Sequence, residues 1–227
     1  MSNHELYLDI DDRKVRGVMI SLATALEKSA GQNKVRTQAA RQIRLALEGG
    51  ALDTGSLLPH IASGDSDAIA DISERLHLDF GLLRTVASHA LSPFLRHIQR
   101  QLAPLATDFQ WEKGHCFICG SPASMAELQG NNQVRHVRCG SCGADWTCRR
   151  LHCIYCGNED YHTLGVLYAG DQKDTVRIEV CDTCHGYVKV IAAYTPTPDE
   201  MLPIEDLATL HLDYIARERG YSRSAVQ

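Results

Sequence analysis

The stretch 139-CGSCGADWTCRRLHCIYCG-157 packs five of the chain's nine cysteines into nineteen residues. It holds two Cys-x-x-Cys pairs, Cys139/Cys142 and Cys153/Cys156, with Cys148 between them. Two further pairs lie on either side, 116-CFICG-120 and 181-CDTCHG-186. In a metal knuckle the two thiolates of one tight turn bind the same ion, and the residue after the second cysteine commonly takes a positive φ so that backbone N–H groups can point at sulfur. Gly120, Gly143 and Gly157 meet that need. In the fourth pair His185 stands there with Gly186 next, which predicts a turn that is strained or differently shaped.

Four thiolates complete a tetrahedral shell, so four pairs imply two ions. The three possible partnerings differ by less than about 1 kcal/mol in loop-closure entropy, so the loop contents have to decide. Between Cys119 and Cys139, the runs Ala123 to Leu128 and Gln133 to Arg138 flank 130-GNN-132; between Cys156 and Cys181, His162 to Tyr168 and Thr175 to Val180 flank 169-AGDQKD-174. Each loop reads as a hairpin. Each second knuckle is followed by a strand-like run, Asp145 to Leu151 and Tyr187 to Ala192. The order knuckle, hairpin, knuckle, strand is thus written twice, the layout of a zinc ribbon or rubredoxin-type module. Sequential pairing follows: Cys116, Cys119, Cys139 and Cys142 on one ion, Cys153, Cys156, Cys181 and Cys184 on the other. The opening stretch is the junction of two sites. Cys148 is the spare thiol, expected to be a small buried side chain. His115, His152 and His185 each adjoin a ligand cysteine, and with the shells filled they are expected to hydrogen-bond around the sites rather than ligate.

Outside this region the pattern is helical. Val15, Met19, Leu22 and Leu26 share one helix face, Gln38 to Leu47 continues in the same style up to Gly49-Gly50, and Asp65-Ser66-Asp67 offers caps ahead of Ile69, Ile72 and Leu76. A longer helix is expected from about Phe80 to Leu102, kinked or divided at Pro93. After the cysteines, 195-TPTPDEMLP-203 reads as a stiff connector to a last helix near Ile204 to Arg219, stopped by Gly220, with Leu207, Leu210 and Ile215 as its docking side. The expected class is α+β: a helical bundle over 1–111, rubredoxin-like four-cysteine modules of short antiparallel strands over 112–149 and 150–194, and a connector with a C-terminal helix over 195–227.

The first residues, MSNHELYLDIDDRK, are polar and acidic where a signal peptide would show a basic end and an apolar run, and no apolar stretch approaches the roughly 18 residues of a membrane span. A cytoplasmic protein without membrane insertion is the expectation, and nine cysteines in a reducing compartment read better as metal ligands than as a disulfide framework. The formal charge of −5 gives no bulk attraction to phosphate backbones. Arg135, Arg138, Arg149 and Arg150 gather near the junction, readable either as solvated strand-edge arginines or as a docking patch.

The sequence resembles the formate dehydrogenase accessory proteins of the FdhE type. The likeness is carried by 116-CFICGSPA-123, 134-VRHVRCGSCGADWTCRRLHC-153, 177-RIEVCDTCHGYVKV-190 and 206-DLATLHLDYIARERGYSRS-224. The helical first half carries no motif of the family and is shorter than usual for it. The resemblance implies a cytoplasmic assembly factor for respiratory formate dehydrogenase. It would associate with the enzyme's catalytic subunit and carry rubredoxin-like sites on its eight knuckle cysteines, with iron the favoured metal and zinc possible.

Nothing in the residues resembles a hydrolytic triad, a phosphate loop or paired acid and base carboxylates, so no turnover of a small substrate is expected. A metal-dependent maturation factor is the leading function. A thiol or iron redox protein acting on the client is the second, and a zinc-ribbon nucleic-acid module is a distant third.

Overall fold

The structure, a computed structural model, describes residues 10–29, 31, 33–105, 110–170 and 175–223. It divides into two compact units, Met1–Ile98 and Gln99–Gln227. The first nine residues, residues 171–174 of the second predicted hairpin connection and residues 224–227 lie outside the described set.

In the first unit the apolar stripes form helices as their spacing requires. Helix α1 (Asp12–Ser29) buries Val15, Met19 and Ala23, and α2 (Lys34–Glu48) buries Ala40, Ile43 and Leu47. Arg44 links the two through Glu27 at 3.0 Å. Helix α3 (Thr54–Ser63) is not legible from periodicity because Gly55 and Pro59 read as breakers. It forms because Asp53 caps it, its carboxylate accepting from the Ser56 N–H at 2.9 Å, and because Leu57, Leu58 and Ala62 are buried. Asp65 caps α4 (Ser66–Arg75) as expected, accepting from Ala68 N–H at 3.1 Å. Pro93 lies inside α5 (Phe80–Leu102) without dividing it, since Leu83, Val86, Ala87, Ala90, Leu91 and Leu95 keep one face buried across it.

The second unit is built on one six-stranded sheet in the order β3-β2-β1-β6-β5-β4. The hairpin β1 (Met125–Gln129) and β2 (Val134–Arg138) is followed by β3 (Asp145–Thr147) on the outer side of β2. The hairpin β4 (Leu164–Leu167) and β5 (Val176–Cys181) is followed by β6 (Tyr187–Ala193) on β5. Both repeats therefore have the same antiparallel topology. They are joined by a parallel pairing of β1 with β6, with Ala126 opposite Val190 and Gln129 opposite Ala193. Two modules too small to own a core each thereby share one continuous sheet.

Two expectations change. Strand β3 stops at Thr147 rather than Leu151, because after Cys148 donates its N–H to Arg135 O at 3.0 Å the chain leaves β2 to open the next knuckle. The C-terminal helix is two helices, α6 (Leu202–Ala208) and α7 (Leu210–Glu218), broken at Thr209, whose hydroxyl turns back to Glu205 O at 2.7 Å. The break turns Leu202, Leu212 and Ala216 inward, while Leu207 and Leu210 are exposed. Leu212 and Ala216 close over Ile178, Val180 and Tyr187 of the sheet.

Candidate metal centres

Each knuckle folds the same way. The N–H of its first cysteine donates to the carbonyl five residues on: Cys116 to Ser121, Cys139 to Ala144, Cys153 to Asn158 and Cys181 to Gly186, at 2.8–3.0 Å. The residue after the second cysteine is left-handed in all four, with φ of 73° at Gly120, 79° at Gly143, 75° at Gly157 and 54° at His185. The fourth turn has the common shape with a residue that pays a small strain for it, of order 1 kcal/mol. Glycine is needed one place later instead, because a Cβ on Gly186 would stand 2.8 Å from Tyr155 Cδ2 and 3.2 Å from Cys184 Sγ.

The eight cysteines come together as two fours. Cys116, Cys119, Cys139 and Cys142 form one cluster and Cys153, Cys156, Cys181 and Cys184 the other, the sulfurs of each lying within 4.8 Å of one another. The Cys116–Cys142 and Cys119–Cys139 separations are 3.5 Å, and Cys153–Cys184 and Cys156–Cys181 are 3.7 Å. A tetrahedron of thiolates at about 2.3 Å from a central ion has edges of about 3.8 Å, so both clusters have the dimensions of a tetrathiolate metal site. Neither the nested nor the crossed partnering is present.

The electrostatics point the same way. In the first cluster hydrogen bonding from Cys116 and the other sulfurs holds Cys119 well below the usual thiol range, while the same neighbours push Cys139 and Cys142 far above it. Four thiols so confined cannot all ionise unless a cation lies among them. In the second cluster burial pushes Cys153 up and Cys184 to about 11. At Cys181 burial is outweighed by the Cys184 N–H and the Asn158 amide, and the thiol falls to about 7.

The two clusters differ in access. All four cysteines of the first are buried, whereas in the second Cys156 is exposed and Cys184 half-buried. Backbone and side-chain donors face the sulfurs in both, Ile118 N–H to Cys116 Sγ at 3.4 Å and Asn158 Nδ2 to Cys181 Sγ at 3.6 Å.

The remaining candidates fall outside the clusters. Cys148 is buried, and burial raises its thiol pKa, the condition of an inert side chain. His152 donates from Nε2 to Glu112 O at 3.1 Å, His115 stacks edge-on with Trp111 at 4.9 Å, and His185 lies 6.0 Å from the Tyr221 ring. None of the three joins a sulfur cluster.

Three of the four arginines are withdrawn from any basic patch, and Arg150 is exposed. Arg135 and Arg138 are each 2% exposed, paired with Glu179 at 2.9 Å and Glu127 at 2.6 Å. Arg149 is clamped by Glu112 and Glu159, both at 2.7 Å. Burial of Arg135 and Arg138 along β2, and the acids opposite, explain the difference; the acids lie far off in sequence. Arg138 also reaches Thr197 O at 3.0 Å and Asp199 at 3.1 Å, so it ties the connector to the first cluster's strand.

Sequence reasoning missed a second buried network. Lys189 pairs with Asp213 at 2.7 Å and Asp206 at 2.9 Å, Tyr187 donates to Asp213 at 2.7 Å, and Arg223 binds both aspartates. Lysine in an otherwise apolar strand, 187-YVKVIAA-193, was the available signal. Tyr155 was missed as well. It sits between the cysteines of the third knuckle and donates to Tyr187 O at 3.1 Å.

A mixed sheet of two fused ribbon repeats, each carrying a four-cysteine cluster of metal-site geometry, defines a two-centre, rubredoxin-like protein class. Comparison with known proteins narrows it. Residues 149–227 match the family model described as FdhE, C-terminal domain. The FdhE homologue of Aquifex aeolicus is 30% identical over 118 residues, 49% of this chain and 40% of that protein, and the homologue of Shewanella sp. (strain MR-4) is 37% identical over 114 residues, 49% of this chain and 36% of that protein. The aligned stretch thus spans less than half the length of these relatives. The crystal structure of the FdhE protein from Pseudomonas aeruginosa superposes with a TM-score of 0.61 at 26% identity, covering 94% of this chain and 71% of that one. Its C-terminal part is thus similar to the C-terminal domain of the FdhE family, and its fold is similar to that of a solved FdhE protein.

Proposed function

We propose that the chain is a cytoplasmic accessory factor for a molybdenum- or tungsten-dependent formate dehydrogenase. It binds the enzyme's catalytic subunit, supports assembly of the active enzyme and performs no turnover of its own. Each cysteine cluster holds one ion, Cys116, Cys119, Cys139 and Cys142 the first, Cys153, Cys156, Cys181 and Cys184 the second. Family resemblance favours iron, and thiolates accept zinc as well.

The observation that carries the reading is the difference in access between the clusters, in a chain similar to this family. A closed, fully buried tetrathiolate site holds a small module together. The first cluster has that character. The second presents Cys156 at the surface, where a client can reach a sulfur, and Asn158 and backbone donors steady the sulfurs behind it. This favours a division of labour: the first cluster holds the fold and the second meets the client.

The same exposure keeps a redox reading open as the runner-up. An iron ion there would supply one-electron exchange, which zinc would not. Nucleic-acid binding has lost most of its footing, because Arg135, Arg138 and Arg149 are buried or paired, while Arg150 is left exposed.

The test is an anaerobic pull-down of the tagged protein against the host's formate dehydrogenase catalytic subunit, with metal analysis of the eluate. Specific retention supports the reading and identifies the ion. No retention by protein with both clusters loaded overturns it.

A further inference from the structure

Behind the second cluster, a cavity of about 260 Å³ lies between the sheet and the chain segment that opens the third knuckle. The sheet register sets its inner wall. Leu164 pairs with Cys181, Val166 with Glu179 and Glu179 with Val188, so these residues share one face of β4, β5 and β6. The opposite face of the same strands is the one covered by α7. Leu151, Ile154 and Tyr155 supply the outer wall. The cavity is not the ion's own place: Cys153 and Cys181 border it, whereas Cys156 and Cys184 do not line it.

Its polar floor is an Arg135–Glu179–Arg177 triad. Arg135 Nε lies 2.9 Å from Glu179 Oε2 and Arg177 Nη2 lies 2.6 Å from Glu179 Oε1. Arg135 is 2% exposed, and its Nη1 also donates to Arg149 O at 3.2 Å, which pins the outer wall. Two guanidinium groups on one carboxylate leave the floor itself with one net positive charge, with the cluster sulfurs of Cys153 and Cys181 at the cavity's border. The Nε of Arg135 is already taken by Glu179, whereas the Nε of Arg177 is buried without an aligned hydrogen-bond acceptor. A buried donor left unfilled is costly, and the guanidinium fork is shaped for a carboxylate. Arg150 stands exposed at the rim, where it attracts anions but is screened by solvent.

We propose that this cavity binds the carboxylate of a small apolar acid, free or at the end of a peptide chain. One net positive charge at the floor, with anionic sulfurs at the border, calls for a monoanion rather than a dianion. The apolar walls call for a hydrocarbon body. A volume below the roughly 300–1,000 Å³ of drug-sized pockets calls for a ligand the size of one residue. A client chain ending in an apolar residue would thereby be held against Cys153 and Cys181 of the accessible cluster. That last consequence rests on the maturation reading; the binding itself does not.

The experiment is calorimetry on the isolated, metal-loaded protein with four probes: N-acetyl-leucine, N-acetyl-leucinamide, isoamyl phosphate and a hexapeptide ending in leucine. The acid is expected to bind with a Kd on the order of 1 mM. The amide is expected to bind at least about tenfold more weakly, the worth of a lost charge-assisted hydrogen bond. Arg177→Gln is expected to weaken the acid by a similar factor with metal content unchanged. Val166→Trp, which fills the cavity from the exposed edge without touching its charge, should abolish binding and covers the case in which the arginine variant does not fold. Peptide tighter than acetylated residue assigns the site to a chain terminus, and equal affinity assigns it to a free acid. Equal binding of acid and amide, tighter binding of the phosphate ester, or no binding of acid or peptide overturns the proposal. Since no client protein is present, these outcomes are separate from success or failure of the pull-down.

Discussion

The ring of Tyr155 packs against Gly186 so closely that a Cβ there would stand 2.8 Å from Tyr155 Cδ2. The opposite ring edge faces Gly114, where a Cβ would be 2.6 Å from Cδ1. The side chain between two cysteines of the second cluster thus fills the space left by glycines beside the first and fourth knuckles. Gly186→Ala is expected to cost about 1–3 kcal/mol by overpacking and to lower metal content at the second cluster alone. Tyr155→Phe keeps the packing and loses one hydrogen bond, about 1 kcal/mol, with two ions retained. Thermal unfolding with metal stoichiometry checks both, and a Gly186→Ala protein with unchanged Tm and two ions contradicts the contact.

The cluster membership makes a sharp contrast between two cysteines nine residues apart. Cys139→Ser should lose one ion and the order of β1 to β3, since an emptied ribbon of this size seldom has a sufficient core. Cys148→Ser should keep both ions. Metal retained in the first variant or lost in the second would show that the partition is wrong.

Unequal burial predicts unequal release. Under excess chelator, one ion should leave about tenfold faster than the other, because the second cluster opens to solvent through Cys156 while the first requires local unfolding. Cys156→Ser should remove the fast phase. A single phase accounting for two ions would count against the division of labour between the clusters.

The Lys189 network ties acid stability to one carboxylate. Burial alone would raise Asp213, but hydrogen bonds from Lys189 and Tyr187 and the charge of Arg223 outweigh it and hold the carboxyl below the usual range. A carboxyl depressed in the folded state stabilises the fold above its unfolded pKa of about 3.9, and that contribution is lost as pH falls through the folded value. Asp213→Asn should therefore be less stable than wild type at pH 7, with the gap closing below about pH 4. Urea unfolding of both proteins across that range measures it, and acid release of metal, common to both, cancels in the difference. Lys189→Met, which leaves buried Asp213 and half-buried Asp206 to Arg223 alone, should cost about 3–5 kcal/mol at pH 7.

Within the cysteine region, local spacing carried most of the information. A Cys-x-x-Cys pair followed by glycine specifies its own turn, and the runs between pairs are short enough to form hairpins with near neighbours, so the two clusters and all six strands were readable, with β3 ending earlier than its run. Helix α3 was hidden because its stabilisation comes from the Asp53 cap and burial of Leu57 and Leu58 rather than from a clean repeat. The C-terminal stripe misled for a related reason: the break at Thr209 shifts the buried face, which no periodicity over an assumed single helix can reveal.

By itself the sequence determined which cysteines belong together, the hairpins between them and the helical character of the first half, because these follow from contacts within a few turns of chain. Tertiary structure alone decided that β1 pairs with β6, that Arg138 meets Asp199 across 61 positions, that one cluster is closed and the other open, and that a cleft with a cationic floor lies behind the open one. Those features depend on which distant backbone or charge a side chain finds once the sheet is assembled, and a buried arginine and a solvated one are spelled the same way.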